Sequence, residues 1–207
     1  MKAHGNTKMF IIHIKVVLSN MSIIGHEEFA IAKVVDTELY KMSNIWRYTS
    51  RLILKPENLA EHSYYVAANV MKFGAALNLP EEQINKAVRI ALAHDTGEVF
   101  KGDIPHNLTI YSSDIKRISE ELEVKLIGEN FPYFKKDFED FYNNVDPIVT
   151  KLVELADVAD VIMYINREET LGNRDEDILQ IRAECNERYI KIKLELDDLV
   201  KQQKSQK

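Results

Sequence analysis

The sequence predicts an all-α protein folded as a single helical bundle. Only seven glycines and five prolines occur in 207 residues, which leaves room for long helices. The hydrophobic fraction is 45% and the charged fraction is 29%, and a chain of this length can form one domain with a sizeable core. Between breaks at Pro, Gly and Asn, apolar residues recur at helical spacing. We therefore expect one helical domain over residues 26–200 and a flexible tail over residues 201–207.

Residues 1–25 are treated as an N-terminal extension without an assigned role. The apolar run that starts at Met9 has the character of a signal-peptide core, but His13 and Lys15 interrupt it and no small-residue cleavage site follows. The run is also too short to span a bilayer. An extra strand or helix, and a translated leader before a start at Met21, are both compatible with this segment.

The breaks divide the rest of the chain into helices. Pro80 followed by two glutamates is typical of a first helical turn, and Gly172-Asn173 is typical of a helix end. Glycine and proline interrupt the pattern over residues 101–112, where a loop is expected. The predicted helices span residues 27–46, 56–77, about 80–95, 113–127, 146–171 and 175–200, with a short aromatic segment over 131–142.

Polar residues occupy core-facing positions of these helices. His62 lies on the apolar stripe of the helix over 56–77, and Asp95 continues the stripe of the helix that begins at Pro80. The helix over 146–171 is apolar nearly all round its middle, which is typical of a central, buried helix. Its acidic residues, however, share one arc of the circumference. They are Glu154, Asp157 and Asp160.

The adjacent pair His94-Asp95 is the most informative feature of the chain. A buried carboxylate is costly unless it is paired or coordinates a cation, and a metal ion would accept a nitrogen from His94 and an oxygen from Asp95. Singly, His62 is explained as a hydrogen-bonded core histidine and Asp157 as half of an ion pair. Together, two His and two Asp in the core of a small domain favour a shared cation.

Charge and cysteine content restrict the partners and the compartment. The net charge of −6 disfavours a nucleic-acid polymer as partner, because such binding requires clustered Lys and Arg. Small anionic substrates stay open, since a metal and one arginine can invert the field inside a pocket. Cys185 is the only cysteine, so no intrachain disulfide forms and a cytoplasmic protein without a membrane partner is expected.

The order His62, His94-Asp95, Asp157 resembles the H…HD…D signature of the HD-domain metal-dependent phosphohydrolases. The chain is most similar to the HD-domain 5′-deoxynucleotidases, which remove phosphate from deoxynucleoside monophosphates. The likeness covers residues 43–169, and the patterns E-N-x-x-E-H-S and H-D-x-x-E-V-x-x-G-D-x-P make it specific. It includes Trp46-Arg47-Tyr48, Glu57-Asn58-Leu59-Ala60-Glu61-His62-Ser63, His94-Asp95-Thr96-Gly97-Glu98-Val99, Gly102-Asp103-Ile104-Pro105 and Glu154-Leu155-Ala156-Asp157.

The resemblance implies one divalent metal ion in the core of the bundle. Its ligands would be His62, His94, Asp95 and Asp157, whereas the other two acids of the arc do not match ligand positions. Nitrogen and carboxylate ligands suit Mn, Co, Fe or Zn better than Ca, and Mg is also compatible with the family. The resemblance also leads us to expect a small-molecule nucleotide as substrate and a homodimer.

The resemblance assigns further residues to the reaction. Arg47 corresponds to the arginine that contacts the phosphate, Glu98 to the catalytic glutamate and Asp103 to an aspartate that contacts the substrate. Independently, Glu98 lies one turn after Asp95, where it can activate a water or protonate the leaving oxygen. The best-known relatives have tryptophan after the arginine, whereas this chain has Tyr48, which we expect to border the sugar.

The sequence is compatible to different degrees with functions other than a 5′-deoxynucleotidase. Val99 replaces the second acid of the H-D-x-x-E-D pattern of alarmone hydrolases, and only His106 lies between Asp95 and Asp157, which disfavours the two-metal cyclic-nucleotide phosphodiesterases. Deoxynucleoside triphosphate triphosphohydrolysis is the main alternative, because the same metal site serves it. A non-catalytic helical binding module is the alternative from another class, but structural metal sites are often rich in thiolates.

Overall fold

A computed structural model describes residues 37–102 and 112–205 of the chain. Within these residues all regular structure is helical, and the extended backbone is limited to one isolated antiparallel bridge between Trp46 and Asn58. The prediction of an all-α protein is therefore confirmed. The helices are α1 Thr37–Tyr40, which continues as a 3-10 turn over Lys41–Asn44, α2 Leu59–Ala76, α3 Glu81–Ala93, α4 Glu98–Lys101, α5 Ser113–Asn130, α6 Lys135–Tyr142, α7 Pro147–Thr170 and α8 Glu176–Ser205.

Several boundaries differ from those predicted. The helix expected over 27–46 lies partly outside the described residues. Its described part gives way to an extended chain at Ile45, whose carbonyl accepts a hydrogen bond from the amide of Leu59, the first residue of α2. These tertiary hydrogen bonds override the local helical pattern. At the other end α8 continues to Ser205, because Val200 is buried and Lys204 Nζ donates a hydrogen bond to the Leu77 carbonyl. The tail predicted to be flexible is thus helical as far as Ser205.

Helix α7 is the centre of the bundle, as its apolar middle predicts. Asp146 caps its first turn by accepting hydrogen bonds from the Ile148 and Val149 amides, and Pro147 occupies the first helical position. The helix packs against α2, α3 and α8. Its buried residues join the main core cluster, which includes Val66, Val70, Ile90, Leu152, Val153, Ala156, Ile192 and Leu196.

Helices α2 and α3 approach each other closely at a glycine. A Cβ atom at Gly74 would lie 2.7 Å from Ile84 Cγ1, closer than side chains pack, so glycine lets the two helices meet here. The N-terminus of α2 is capped by Asn58, whose side chain accepts a hydrogen bond from the Glu61 amide. This cap fixes the first turn of α2, which carries His62.

A buried carboxylate at the end of α7 fastens the loop between Tyr48 and α2. Glu168 accepts hydrogen bonds from the Leu54 amide at 2.7 Å and the Lys55 amide at 2.9 Å. The Asn173 side chain donates to Glu168 and to the Leu52 carbonyl, each at 2.9 Å. The loop therefore has its backbone groups satisfied by α7 and by the residues that follow it.

Glu168→Gln is expected to reduce the free energy of unfolding by about 1–3 kcal/mol at pH 7, since an amide cannot accept from both backbone N–H groups. Burial raises the pKa of Glu168, but the hydrogen bonds from Leu54, Asn173 and Lys55 outweigh it and leave the pKa below its usual value of 4.5. A depressed pKa stabilises the fold above pH 4.5, and this contribution is lost as the pH falls through the folded-state pKa. Urea denaturation of both proteins at several pH values measures the difference.

The matched control is Glu139→Gln, which changes an exposed carboxylate of α6. The urea midpoint of its unfolding should equal that of the wild type at every pH tested. Equal midpoints for the wild type and Glu168→Gln at pH 7 would contradict the fastening role of Glu168.

No helix among the described residues is long and apolar enough to cross a membrane.

Candidate metal centre and active site

Backbone pairing brings the segment before α2 next to the N-terminus of that helix. The Arg47 amide donates to the Glu57 carbonyl at 2.9 Å, and the Leu59 amide donates to the Ile45 carbonyl at 3.0 Å. The helix predicted over 27–46 would place Arg47 at its end. The structure instead places Arg47 directly after the bridge between Trp46 and Asn58. The pairing places its side chain beside Glu57 and within reach of the residues around His62.

The tautomer of His62 is fixed by an aspartate of α7. His62 is fully buried, and its Nδ1 lies 2.7 Å from Asp160 Oδ2. Because a carboxylate only accepts, Nδ1 carries the hydrogen and Nε2 presents its lone pair. The Nε2 atom lies 3.4 Å from Asp95 Oδ2 and 3.4 Å from Asp157 Oδ1. Asp160 thus orients the ring from its Nδ1 side, as is common for metal-bound histidines. Asp95 and Asp157 lie on the Nε2 side.

His94 is oriented in the same sense by its own helix. Its Nδ1 lies 2.7 Å from the Ala91 carbonyl oxygen, so Nδ1 donates and Nε2 is left as the acceptor. His94 Nε2 is 3.3 Å from Asp95 Oδ2. Asp95 itself lies in the turn between α3 and α4, one residue after the C-cap of α3. The turn directs its carboxylate between the two imidazoles.

These atoms form a cluster suited to one cation. The ligand atoms of His62, His94 and Asp95 all lie within 4.8 Å of one another, and Asp157 approaches the same His62 nitrogen. Both Nε2 atoms are buried and have no hydrogen-bond partner among the described residues. Ligands bound at about 2.0–2.2 Å around one metal are separated by about 3.0–3.5 Å, and the contacts of Asp95 and Asp157 with His62 have this spacing.

The charge of the site also favours a cation. Burial and Arg47 both lower the pKa of His62, yet the contacts with Asp157, Asp160 and Asp95 outweigh them and raise it to about 10. Without a metal, Nε2 therefore also carries a proton at neutral pH, and a bound cation would displace this proton to reach the lone pair. Burial raises the pKa of Asp95 and Asp157, but the two histidines and Arg47 outweigh it and leave both values below normal. The carboxylates therefore stay ionised and concentrate negative charge at one point.

A second group of possible ligands has a different use. Glu57, His62 and Asp160 also lie close enough together to hold an ion. However, Asp160 is taken by His62 Nδ1, and Glu57 faces two guanidinium groups, Arg47 Nη1 at 3.4 Å and Arg167 Nη2 at 3.7 Å. Arginine charge already compensates these acids, so the first cluster is the candidate metal site.

Glu98 follows the site at the start of α4. Its amide donates to the Asp95 carbonyl at 3.0 Å, which confirms that it lies one turn beyond this aspartate. Lys101 Nζ lies 4.0 Å from Glu98 Oε1 and 2.7 Å from Glu123 Oε1 of α5. The side chain of Glu98 is largely buried beside the turn that carries Asp95. Asp103, the predicted substrate contact, lies outside the described residues.

Comparison with known proteins identifies the family. A model of the YfbR-like 5′-deoxynucleotidases matches residues 37–198. The chain belongs to this family. A curated 5′-deoxynucleotidase of Vibrio cholerae is 30% identical over 151 residues, which cover 66% of this chain and 75% of the relative. The predicted likeness and the predicted class of enzyme, a metal-dependent phosphohydrolase, are confirmed.

Two further comparisons of this YfbR-like chain match sequences or structures from cyanophage S-2L. A dATP triphosphohydrolase of cyanophage S-2L is 25% identical over 134 residues, which cover 62% of this chain and 70% of the phage enzyme. The structure of a cyanophage S-2L HD phosphohydrolase bound to dA and one catalytic Zn²⁺ ion superposes with a TM-score of 0.63 at 18% identity. It covers 84% of this chain and 98% of the phage chain, and it shows that the fold is shared.

The sequence pattern did not assign every residue of this YfbR-like site. Asp160, which the sequence predicts not to be a ligand, contacts His62 Nδ1 as a supporting residue would. Tyr164 and Arg167 of α7 were not singled out, yet Tyr164 stacks on Tyr48 at 4.8 Å between ring centroids. Their period on α7 looked like ordinary core packing. By contrast Glu154, on the same arc, pairs with Lys151 at 2.9 Å, away from the cluster.

Proposed function

We propose that this protein is a metal-dependent 5′-deoxynucleotidase that hydrolyses deoxynucleoside 5′-monophosphates and releases phosphate. The observation that carries the proposal is the cluster of His62, His94 and Asp95, with Asp157 3.4 Å from His62 Nε2 and with Arg47 3.8 Å from Asp160, which contacts the same histidine. Membership of the YfbR-like family supports the same reaction.

One divalent cation would be held by His62, His94, Asp95 and Asp157. When bound, it supplies Lewis-acid polarisation of a phosphoryl oxygen and a lowered pKa for an attacking water. Mn, Co, Fe, Zn and Mg all fit a set of nitrogen and carboxylate ligands. The Zn²⁺ ion named for the cyanophage structure supports zinc as one candidate.

Arg47 would bind the phosphate group of the substrate. Its guanidinium stays charged, because burial lowers its pKa but Tyr48 and the acids Asp95, Asp157 and Glu57 outweigh this and raise it. Its contacts with Glu57 at 3.4 Å and Asp160 at 3.8 Å are longer than strong charge-assisted hydrogen bonds. The guanidinium is therefore oriented by acids that do not use its full bonding capacity, and it can grip two phosphoryl oxygens.

Glu98 would move the proton of the reaction. A carboxylate at this distance along the chain from Asp95 can accept a proton from the attacking water or deliver one to the leaving 5′ oxygen. The Glu98 amide donates to the Asp95 carbonyl, which holds the first residue of α4 against the turn that carries Asp95. Glu98 acts without being a ligand.

The sugar is proposed to lie against Tyr48 and Asp103. Tyr48 follows Arg47 directly, and its ring is fixed by Tyr164, so a phosphate on Arg47 brings the sugar towards this aromatic group. An aspartate in the position of Asp103 can accept a hydrogen bond from a sugar hydroxyl. This arrangement disfavours a 2′-hydroxyl and leaves the base without specific contacts.

A deoxynucleoside triphosphate triphosphohydrolase is the second candidate, because the cyanophage relative carries that name. The test is a panel of mono- and triphosphates of deoxyribose and ribose, incubated with Mn, Co and Mg. We expect phosphate from deoxynucleoside monophosphates with every base and little from ribonucleotides. Release of triphosphate with untouched monophosphates would support the second candidate, and equal rates on both sugars would remove the role of Tyr48 and Asp103.

A cytoplasmic location and a homodimer stay predictions that follow from the cysteine content and the family resemblance. Size-exclusion chromatography with light scattering measures the second directly.

A further inference from the structure

Four side chains form a continuous stack beside the proposed phosphate site. Arg47 Cζ lies 5.3 Å from the centroid of the Tyr48 ring, and the Tyr48 and Tyr164 rings are 4.8 Å apart with an interplanar angle of 2°. Arg167 Cζ lies 5.0 Å from the centroid of the Tyr164 ring. Tyr164 and Arg167 share one face of α7, three residues apart. Each of the two stacked rings thus has one guanidinium group close to it.

Glu57 faces both guanidinium groups of this stack. Its Oε2 lies 3.4 Å from Arg47 Nη1 and its Oε1 lies 3.7 Å from Arg167 Nη2. Glu57 is only 1% exposed, so its charge depends on these neighbours. Burial and Asp160 raise the pKa of Glu57 above its usual value, although Arg47, His62 and Arg167 partly oppose this shift. If Arg47 turned wholly towards a phosphate, Arg167 would still compensate Glu57.

The stack also restrains an unfavourable backbone conformation at Tyr48. Tyr48 has a φ of 59°, in the left-handed region that is unfavourable for a bulky side chain. Such a conformation persists only when the surroundings fix it. Stacking on Tyr164 provides this restraint, and the Tyr164 hydroxyl donates to the Lys55 carbonyl at 3.2 Å, which fixes Tyr164 in turn. The position of Arg47 and Tyr48 is therefore set by α7.

From these contacts we infer that Arg167 is a positioning residue for substrate binding. Through Tyr164 and Glu57 it keeps the guanidinium of Arg47 and the ring of Tyr48 in the orientation that receives the phosphate and the sugar. The inference rests on the proposed function for the role of Arg47. Arg167 acts through Tyr164 and Glu57, neither of which is a proposed metal ligand, so its effect should fall on substrate affinity and not on metal content.

Arg167→Met tests this role, because methionine keeps the length of the side chain but removes its charge and planar group. Interaction energies between contacting residues correspond to roughly a 2- to 150-fold effect. We expect the KM for a deoxynucleoside monophosphate and the Kd for inorganic phosphate to rise by about this factor, with kcat within about twofold and one metal retained. Arg167→Lys should recover part of the loss, since it restores the charge next to Glu57 but not the stacking.

A double-mutant cycle separates positioning from a general structural role. In an Arg47→Met background, Arg167→Met should have little further effect on the Kd for phosphate, because there is no guanidinium left to position. The matched control is Arg182→Met, which removes an arginine that pairs with Glu169 of α7. It should leave KM, phosphate affinity and metal content unchanged.

Several results would overturn the inference. They are an equal loss in the Arg47→Met background, a loss of metal in Arg167→Met, or a fall in kcat with unchanged KM. Isothermal titration of inorganic phosphate into the metal-loaded protein keeps this test apart from the proposed function. If the wild type binds phosphate but hydrolyses no nucleotide, the proposed function fails while the cycle in Kd still decides the role of Arg167. A wild type that binds no phosphate overturns both.

Discussion

Asp95→Asn is expected to lose the divalent metal and the release of phosphate together. Asn keeps the shape of the side chain but removes the negative charge that lies 3.4 Å from His62 Nε2 and 3.3 Å from His94 Nε2. Metal affinity depends on deprotonated ligands and on the charge of the set. Elemental analysis should fall from about one equivalent of metal per chain to a small fraction, and turnover should fall to background.

Glu154→Gln is the control for this change, because it neutralises a carboxylate of the acidic arc of α7 that pairs with Lys151. It should keep both metal and activity. Full metal occupancy in Asp95→Asn would mean that Asp95 is not a ligand, and loss of metal in Glu154→Gln would mean that the arc as a whole acts on the site.

Glu98→Gln is expected to keep the metal and to lose about 10²- to 10⁴-fold in kcat, the range usual for general acid–base catalysis. The amide has nearly the same shape but neither accepts nor delivers a proton. Because Glu98 is proposed not to be a ligand, the KM for the monophosphate should change little. Steady-state kinetics and metal analysis on the same preparation measure both effects.

The matched control is Glu121→Gln, which changes an exposed carboxylate of α5 that pairs with Arg117. It should have wild-type kinetics. Turnover of Glu98→Gln within a few-fold of the wild type would exclude Glu98 from proton transfer, and loss of the metal would show that it is a ligand.

The sequence predicted those parts of the fold that follow from local pattern. The apolar middle of α7 indicated a central helix, and the predicted bounds of 146–171 lie within one residue of the observed helix at both ends. Failures occurred where distant backbone overrides local pattern. Residues after Lys41–Asn44 pair with the residue before α2, which no helical periodicity reveals. The helical end of α8 depends on a contact with Leu77, far away in the chain.

The sequence also predicted only part of the candidate site. The proposed ligands His62, His94, Asp95 and Asp157 could be named from order and residue type. The structure groups the first three, and Asp157 lies 3.4 Å from His62 Nε2. The residues that orient them could not be named so easily. Asp160, Glu57, Tyr164 and Arg167 act through contacts between segments about 100 residues apart, and their sequence pattern does not differ from that of ordinary packing and ion pairs.

The measurement that tests the central claim most directly is phosphate release from a deoxynucleoside monophosphate by the full chain after chelation and after return of metal. The account predicts no release by the chelated protein, and recovery that saturates at about one equivalent of divalent metal per chain. His94→Ala under the same conditions should not recover at one equivalent. Undiminished release by fully metal-free protein would contradict a metal-dependent nucleotidase, and saturation only at two equivalents would contradict the single site formed by His62, His94, Asp95 and Asp157.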